Sequence, residues 1–114
     1  MEQFTTRQNK IARLIQKEMA GLFLRELKSE FNNLLISVTV VRITSDLSLA
    51  RCYLSIYPPE KANDTMNHIK HITKNIRGLL GNKVAKQLRI IPNLEFFIDD
   101  SFNYLENIDR LLEK

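Results

Sequence analysis

Apolar and polar positions follow two different periods along this chain, and each change of period marks an element. From Thr5 to Leu27, Ile11, Leu14, Ile15, Met19, Leu22 and Phe23 recur at three- and four-residue intervals, the stripe of a helix packed on a core. Thr5 and Gln8 stand at capping-box spacing ahead of that stripe, and Ser29, Asn32 and Asn33 are placed to end the helix. The period then drops to two. Leu35 to Thr44, LISVTVVRIT, is rich in β-branched residues and predicts a strand. Thr44, Ser45 and Asp46 predict a turn, because their side chains bond to nearby backbone. Ser48 to Tyr57 is then the returning strand of an antiparallel hairpin. Ala50, Cys52, Leu54 and Ile56 share one face of it and should lie under helices, while Leu49, Arg51, Tyr53, Ser55 and Tyr57 share the other. Pro58-Pro59 stops the strand.

Helical spacing returns after Asn63, Asp64 and Thr65, any of which can cap. Met66, Ile69, Ile72, Ile76, Leu79 and Leu80 form the apolar side, and Lys70, Lys74, Arg77 and Gly81 fall within about 60° of one another on the other side. Continued as a straight helix, the pattern would bring Lys83 among the apolar residues. A break between Gly78 and Asn82 is therefore expected, where two glycines and an asparagine can take positive φ. Asn82 to Gln87 reads as a short helix. Leu88 to Ile91 and Leu94 to Asp99 read as extended, interrupted by Pro92 in the manner of an edge strand. Ser101 can cap a last helix with Leu105, Ile108, Leu111 and Leu112 as its stripe. The order α-β-β-α-(break)-α-β-α, with helices on one face of a three-stranded sheet, is α+β.

Composition narrows the class. With 114 residues, 44% of them hydrophobic and only three Gly and three Pro, the chain is expected to be one folded domain spanning 1–114, with a monomer as the default state. No run of 18 apolar residues suggests a membrane helix, and MEQFTTRQNK lacks the apolar centre of a signal peptide. The lone Cys52 excludes an internal disulfide, fits a reducing cytoplasm and reads as core packing.

Charge changes the picture more. Residues 1–64 carry nine Lys/Arg against seven Asp/Glu, residues 65–94 carry six against none, and residues 95–114 carry two against six. Such a cationic belt favours a polyanion met by one face, rather than a membrane surface, which would need bulky apolar residues beside the cations. Lys10, Arg13, Lys17 and Lys28 make a second basic stripe on the first helix, whereas Arg7 sits at a helix N-terminus, where a cation gains nothing from the dipole. The candidate phosphate contacts are Lys10, Arg13, Lys17, Lys70, Lys74, Arg77, Lys83, Lys86 and Arg89. Solvated basic faces ending in a simple helix cap are the competing reading. Tyr53 and Tyr57 are the candidate stacking platforms, with cross-strand packing as their other role.

Other chemistry finds little support. His68 and His71 have a spacing that metals can use, but no third ligand stands near, and solvated histidines are the better reading. Asp99 and Asp100 are adjacent and suit capping of the last helix better than paired-carboxylate catalysis. No P-loop, GxSxG or dinucleotide fingerprint is present, so no enzyme, cofactor, metal site or small-molecule substrate is expected.

Taken together, VTVVRITSDLSLARCYLSIY and IRGLLGNKVAKQLRIIPNLEFFIDDS resemble bacterial ribosome-binding factor A. The resemblance lies in the V-T-V strand, the S-D-L-S turn, the A-x-x-Y strand, I-R in the second helix and L-R-x-x-P-x-L-x-F-x-x-D at the third strand. It runs from about Arg7 to Leu112. It implies a type II KH-like fold and a cytoplasmic, non-catalytic assembly factor. Such a factor binds the free small ribosomal subunit, assists late maturation and 5′-end processing of 16S rRNA, and matters most in the cold. Lys74, Arg77 and Arg89 match by position, and Arg13 and Lys17 more loosely. One departure stands out. The family's Ala-x-Gly kink in the second helix would fall at Ile72-Thr73-Lys74, while a literal GxxG occurs instead at Gly78-Leu79-Leu80-Gly81. Ordinary KH loops favour polar or basic residues between those glycines, and two leucines argue against a nucleotide clamp. The alternative function is a protein-interaction module that docks a ribosomal protein through a sheet edge or the last helix.

Overall fold

A computed structural model describes residues 4–99. Its elements are α1 (Thr6–Leu24), β1 (Leu35–Ile43), β2 (Leu49–Tyr57), α2 (Ala62–His71), α3 (Thr73–Val84) and β3 (Asn93–Ile98), with short 3-10 turns at Lys28–Phe31 and Pro59–Lys61. The expected last helix, with its Ser101 cap and Leu105, Ile108, Leu111 and Leu112, lies outside the described residues, as does Asp100.

The sheet runs β1-β2-β3, with β1 antiparallel and β3 parallel to the central β2. A parallel neighbour needs a crossover, and α2 with α3 supplies it. Inward alternation is as the period of two predicts. Ala50, Cys52, Leu54 and Ile56 from β2, Ile36, Val38, Val41 and Ile43 from β1, and Leu94 and Phe96 from β3 are all buried. Thr39 is an extra residue between Val38 and Val40, a bulge that restores the inward phase at Val41. Helix α1 packs on β1 and α3, and α2 packs on β2 and β3. No described helix packs on the remaining face of the sheet, which carries Leu35, Tyr53, Tyr57 and Phe97, with Tyr57 65% exposed.

Two glutamines lock α1 to β1. Gln8 closes the capping box with Thr5 and also donates from Nε2 to the Ile43 carbonyl at 2.9 Å. Gln16 donates to the Val38 and Thr39 carbonyls at 3.0 and 3.2 Å. Eight helical residues rise about 12 Å and five strand residues about 16 Å, so the two contacts hold the elements nearly antiparallel.

The helical region corrects the expected break. The glycines are inside α3, no glycine has positive φ, and the discontinuity falls at Ile72. There the Ile72 N–H is shared between the His68 and Ile69 carbonyls at 3.1 and 3.2 Å, and the Thr73 hydroxyl donates to Ile69 O at 3.0 Å. A side chain thus takes a carbonyl out of the regular ladder, a known cause of helix bending that requires no glycine. The offset at Ile72 puts Ile76, Leu80 and Val84 in the core and leaves Lys83 exposed. Other boundaries also differ. Helix α1 ends at Leu24 rather than Leu27, α2 begins at Ala62 without a side-chain cap, and no separate helix covers Asn82 to Gln87. Leu88 to Ile91 is a bend, so β3 starts only after Pro92.

Candidate nucleic-acid interface

The predicted basic residues are distributed over α1, α2, α3 and the segment before β3. Lys10, Arg13 and Lys17 are exposed on α1, about 180° around the helix from Ile15 and Met19. Lys70 and Lys74 are exposed on either side of the Ile72 kink, and Lys86 and Arg89 are exposed in the segment between α3 and β3.

Two members of the set are already engaged. Arg77 donates from Nε to Pro92 O at 3.0 Å and from one terminal nitrogen to Ile91 O at 2.6 Å. It therefore anchors the chain leading into β3, with three of its five N–H groups left over. Gly81, one turn further on, takes part in the same seating. A Cβ there would stand 3.5 Å from the Ile91 side chain, while one at Gly78 would meet nothing within 4 Å. The GxxG is thus a stretch of helix on which a loop rests, with Leu80 fully buried between its glycines. Lys83 Nζ lies 2.6 Å from Glu26 Oε1. That contact holds the Glu26 carboxyl below its usual range.

Lys10 and Arg89 are brought together, and Arg7 joins them. These three cations border a groove of about 410 Å³ between the N-terminal end of α1, the β1–β2 turn and the loop before β3. The turn is held by Asp46, whose Oδ1 accepts from the Thr44 hydroxyl at 2.8 Å and from the Ser48 hydroxyl and N–H at 2.7 and 3.1 Å. The Ser48 and Thr44 bonds lower the Asp46 pKa. Leu47 takes φ 64° at the tip of the turn and lines the groove.

A second cavity of about 400 Å³ adjoins the same turn at Thr44 and Ser45 and is lined also by Phe4, Gln8, Arg42 and Arg51. Arg42 and Arg51 are directly opposed across the hairpin. Like charges in that position repel, and each finds a partner: Arg42 lies 5.4 Å from the centre of the Phe4 ring, and Arg51 Nε is 3.6 Å from Glu95. Arg7, Arg42 and Arg51 lie outside the candidate set. A dipole argument discounts Arg7, and the two strand arginines are far apart in sequence until the register pairs them.

The remaining candidates have local roles. His68 bonds Glu30 at 2.9 Å and packs on Phe31 with ring centres 5.0 Å apart, so it is held rather than freely solvated. Tyr53 stacks on Phe97 at 5.3 Å, the cross-strand packing anticipated for it. Asp99 accepts from the Thr39 hydroxyl at 2.5 Å. Cys52 is buried in the central strand, and burial pushes its thiol up to about 12.

The family model for ribosome-binding factor A matches residues 7–112. A ribosome-binding factor A from Flavobacterium johnsoniae is 50% identical over 109 residues, covering 95% of this chain and 84% of that protein. The crystal structure of ribosome-binding factor A from Thermus thermophilus superposes with a TM-score of 0.65 at 18% identity, covering 80% of this chain and 94% of that one. A homology model of the Thermus thermophilus protein, fitted into an electron cryo-microscopy map of its complex with the 30S subunit, superposes at a TM-score of 0.58 and 19% identity, over 86% and 97% of the two chains. The fold is the KH-like α+β arrangement of these structures.

Proposed function

This chain belongs to the ribosome-binding factor A family, and from that premise we propose that it is an assembly factor for the small ribosomal subunit, acting by binding and not by catalysis. It works in the cytoplasm as a monomer, attaches to the free 30S particle and its 16S rRNA, and assists late maturation and 5′-end processing, with most effect in the cold. Family membership over residues 7–112 is the observation that carries this reading.

The cations without a salt bridge among the described residues supply the attraction. Lys10, Arg13 and Lys17 on α1, Lys70 and Lys74 at the kink, and Lys86 and Arg89 before β3 are exposed and able to neutralise phosphates. Lys83 contributes less, because displacing Glu26 offsets part of any new contact. Arg77 acts mainly by holding the loop that carries Arg89. With about six phosphates contacted, log affinity should fall against log salt with a slope near −4 to −5. The test is sedimentation of a bacterial lysate through sucrose at low and moderate salt. Co-migration with free small subunits, lost as salt rises, is expected. Protein confined to the top of the gradient at both salts would defeat the reading.

Docking of a ribosomal protein is the second reading. It is favoured by the sheet edge at β1, where Leu35 is 59% exposed. It requires a stoichiometric partner that survives nuclease treatment and is indifferent to Lys74→Ala and Arg77→Ala.

A further inference from the structure

The groove between α1, the β1–β2 turn and the pre-β3 loop differs from the other basic surfaces because its floor is apolar. Ile11, Leu47, Leu88 and Pro92 line it, and Ile90 at its lip is 70% exposed. Arg7, Lys10 and Arg89 stand around that floor. The one carboxylate in the lining, Asp46, is turned into the hairpin by three hydrogen bonds. A simple solvated basic face has no reason to surround an aliphatic floor, and a hydrophobic ligand pocket has no reason for three cations.

The geometry of the walls is fixed from behind. Arg77 holds the Ile91 and Pro92 carbonyls, the Ile91 side chain lies over Gly81 of α3, and Asn93 N donates to Ser48 O at 2.9 Å, tying the loop to the turn. The groove is therefore preorganised by contacts that leave its own cations free of any described salt bridge.

We infer that this groove seats one unstacked nucleotide of a single RNA strand. The base lies on the aliphatic floor under Ile90, and the flanking phosphates meet Arg7, Lys10 and Arg89. A volume of about 410 Å³ has room for a base and its ribose. Unpaired bases are the ones a protein can take onto an apolar surface. A purely acidic peptide such as polyglutamate would satisfy the cations but would leave the apolar floor without a fitting group. This inference rests on the RNA-binding reading above and assigns it a specific subsite.

The test uses the full chain and a fluorescein-labelled uridine hexamer, followed by anisotropy across a salt series. Wild type should bind with a log–log salt slope near −2, since about three single-strand phosphates contribute about −0.7 each. Arg7→Ala and Arg89→Ala should each weaken binding and make the slope shallower by about 0.7. Ile90→Ser should weaken binding about fivefold with the slope unchanged, because it removes apolar contact and no charge. All three side chains are exposed, so the melting temperature should stay near wild type. Lys61→Ala, in the exposed turn before α2 and outside the groove lining, should leave hexamer binding intact.

The inference is overturned if the groove variants keep wild-type affinity and slope. It is equally overturned if the hexamer binds as well when paired to its complement, or if polyglutamate of matching charge binds with the same dependence on Arg7, Arg89 and Ile90. Subunit co-sedimentation separates the two levels. Wild type that co-sediments while its groove variants do so equally well loses only the subsite, whereas wild type that binds neither hexamer nor subunit loses both.

Discussion

Arg77 illustrates how a residue can match a family's pattern and yet do a different job from the one its charge suggests. Its guanidinium spans two successive carbonyls at the entrance to β3, a bidentate grip that lysine, a single point donor, cannot reproduce. Arg77→Lys and Arg77→Ala should therefore behave alike, each lowering stability by about 1 kcal/mol in urea titrations, since the bonds are part-exposed. Both should weaken RNA binding indirectly, through a loosened Arg89, with the salt slope nearly unchanged. A slope reduced by a full phosphate in Arg77→Ala but restored in Arg77→Lys would instead make it a direct contact. The sequence could not distinguish these roles, because the acceptors are main-chain carbonyls 14 and 15 positions away that carry no residue signature. Arg7 is the reverse case. Its helix-dipole argument concerns stability, and a cation placed against the dipole is available for a ligand instead.

At the scale of elements, strands were easier to read than helices. Alternation with a period of two leaves one choice of inward face, so Ala50, Cys52, Leu54 and Ile56 were assigned from pattern alone. The capping box of α1 was equally plain, since Thr5 and Gln8 are close in sequence and bond each other. The kink was legible from periodicity as a phase error but not in position, while the family resemblance pointed to Ile72-Thr73-Lys74, where it falls. Glycine was the obvious breaker, whereas the working device is a shared N–H at Ile72 and the Thr73 hydroxyl. A helix interior is also where glycine is costly. Gly78 faces open space, and Gly81 leaves ordinary van der Waals room beside Ile91. Replacing both by alanine should raise stability by about 0.5–1 kcal/mol per site. Thermal melting and RNA titration together check this. A gain in stability with intact binding is expected of a helical GxxG, and loss of binding would restore the idea of a nucleotide clamp.

Over the whole molecule, the fold distributes the basic residues over α1, the helical pair, the hairpin and the loop before β3. Lys70 and Lys74 flank the kink, Arg7, Lys10 and Arg89 meet beside the hairpin turn, and Arg42 and Arg51 pair across the hairpin. The net charges of sequence segments suggested a single belt in residues 65–94, but the pairing of β1 with β2 and the seating of the pre-β3 loop decide which cations become neighbours. That is tertiary information. The sheet face away from the described helices was likewise foreseen as a mixture of Tyr and Arg, while the part played by Phe97 depended on the parallel register of β3 opposite Tyr53.

The central strand, finally, contains its own gauge. Cys52 is fully buried at the middle of the sheet, with its thiol pushed up to about 12, so the folded protein presents almost no thiolate to an alkylating reagent at neutral pH. Modification must wait for the strand to open, and the labelling rate then reads the population of the opened chain. A particle that grips only the closed form would slow that clock. With the small subunit at about a hundred times its Kd, alkylation of Cys52 should slow about a hundredfold. One thiol far from any proposed contact would thereby weigh the whole attachment, without a label on either partner's surface.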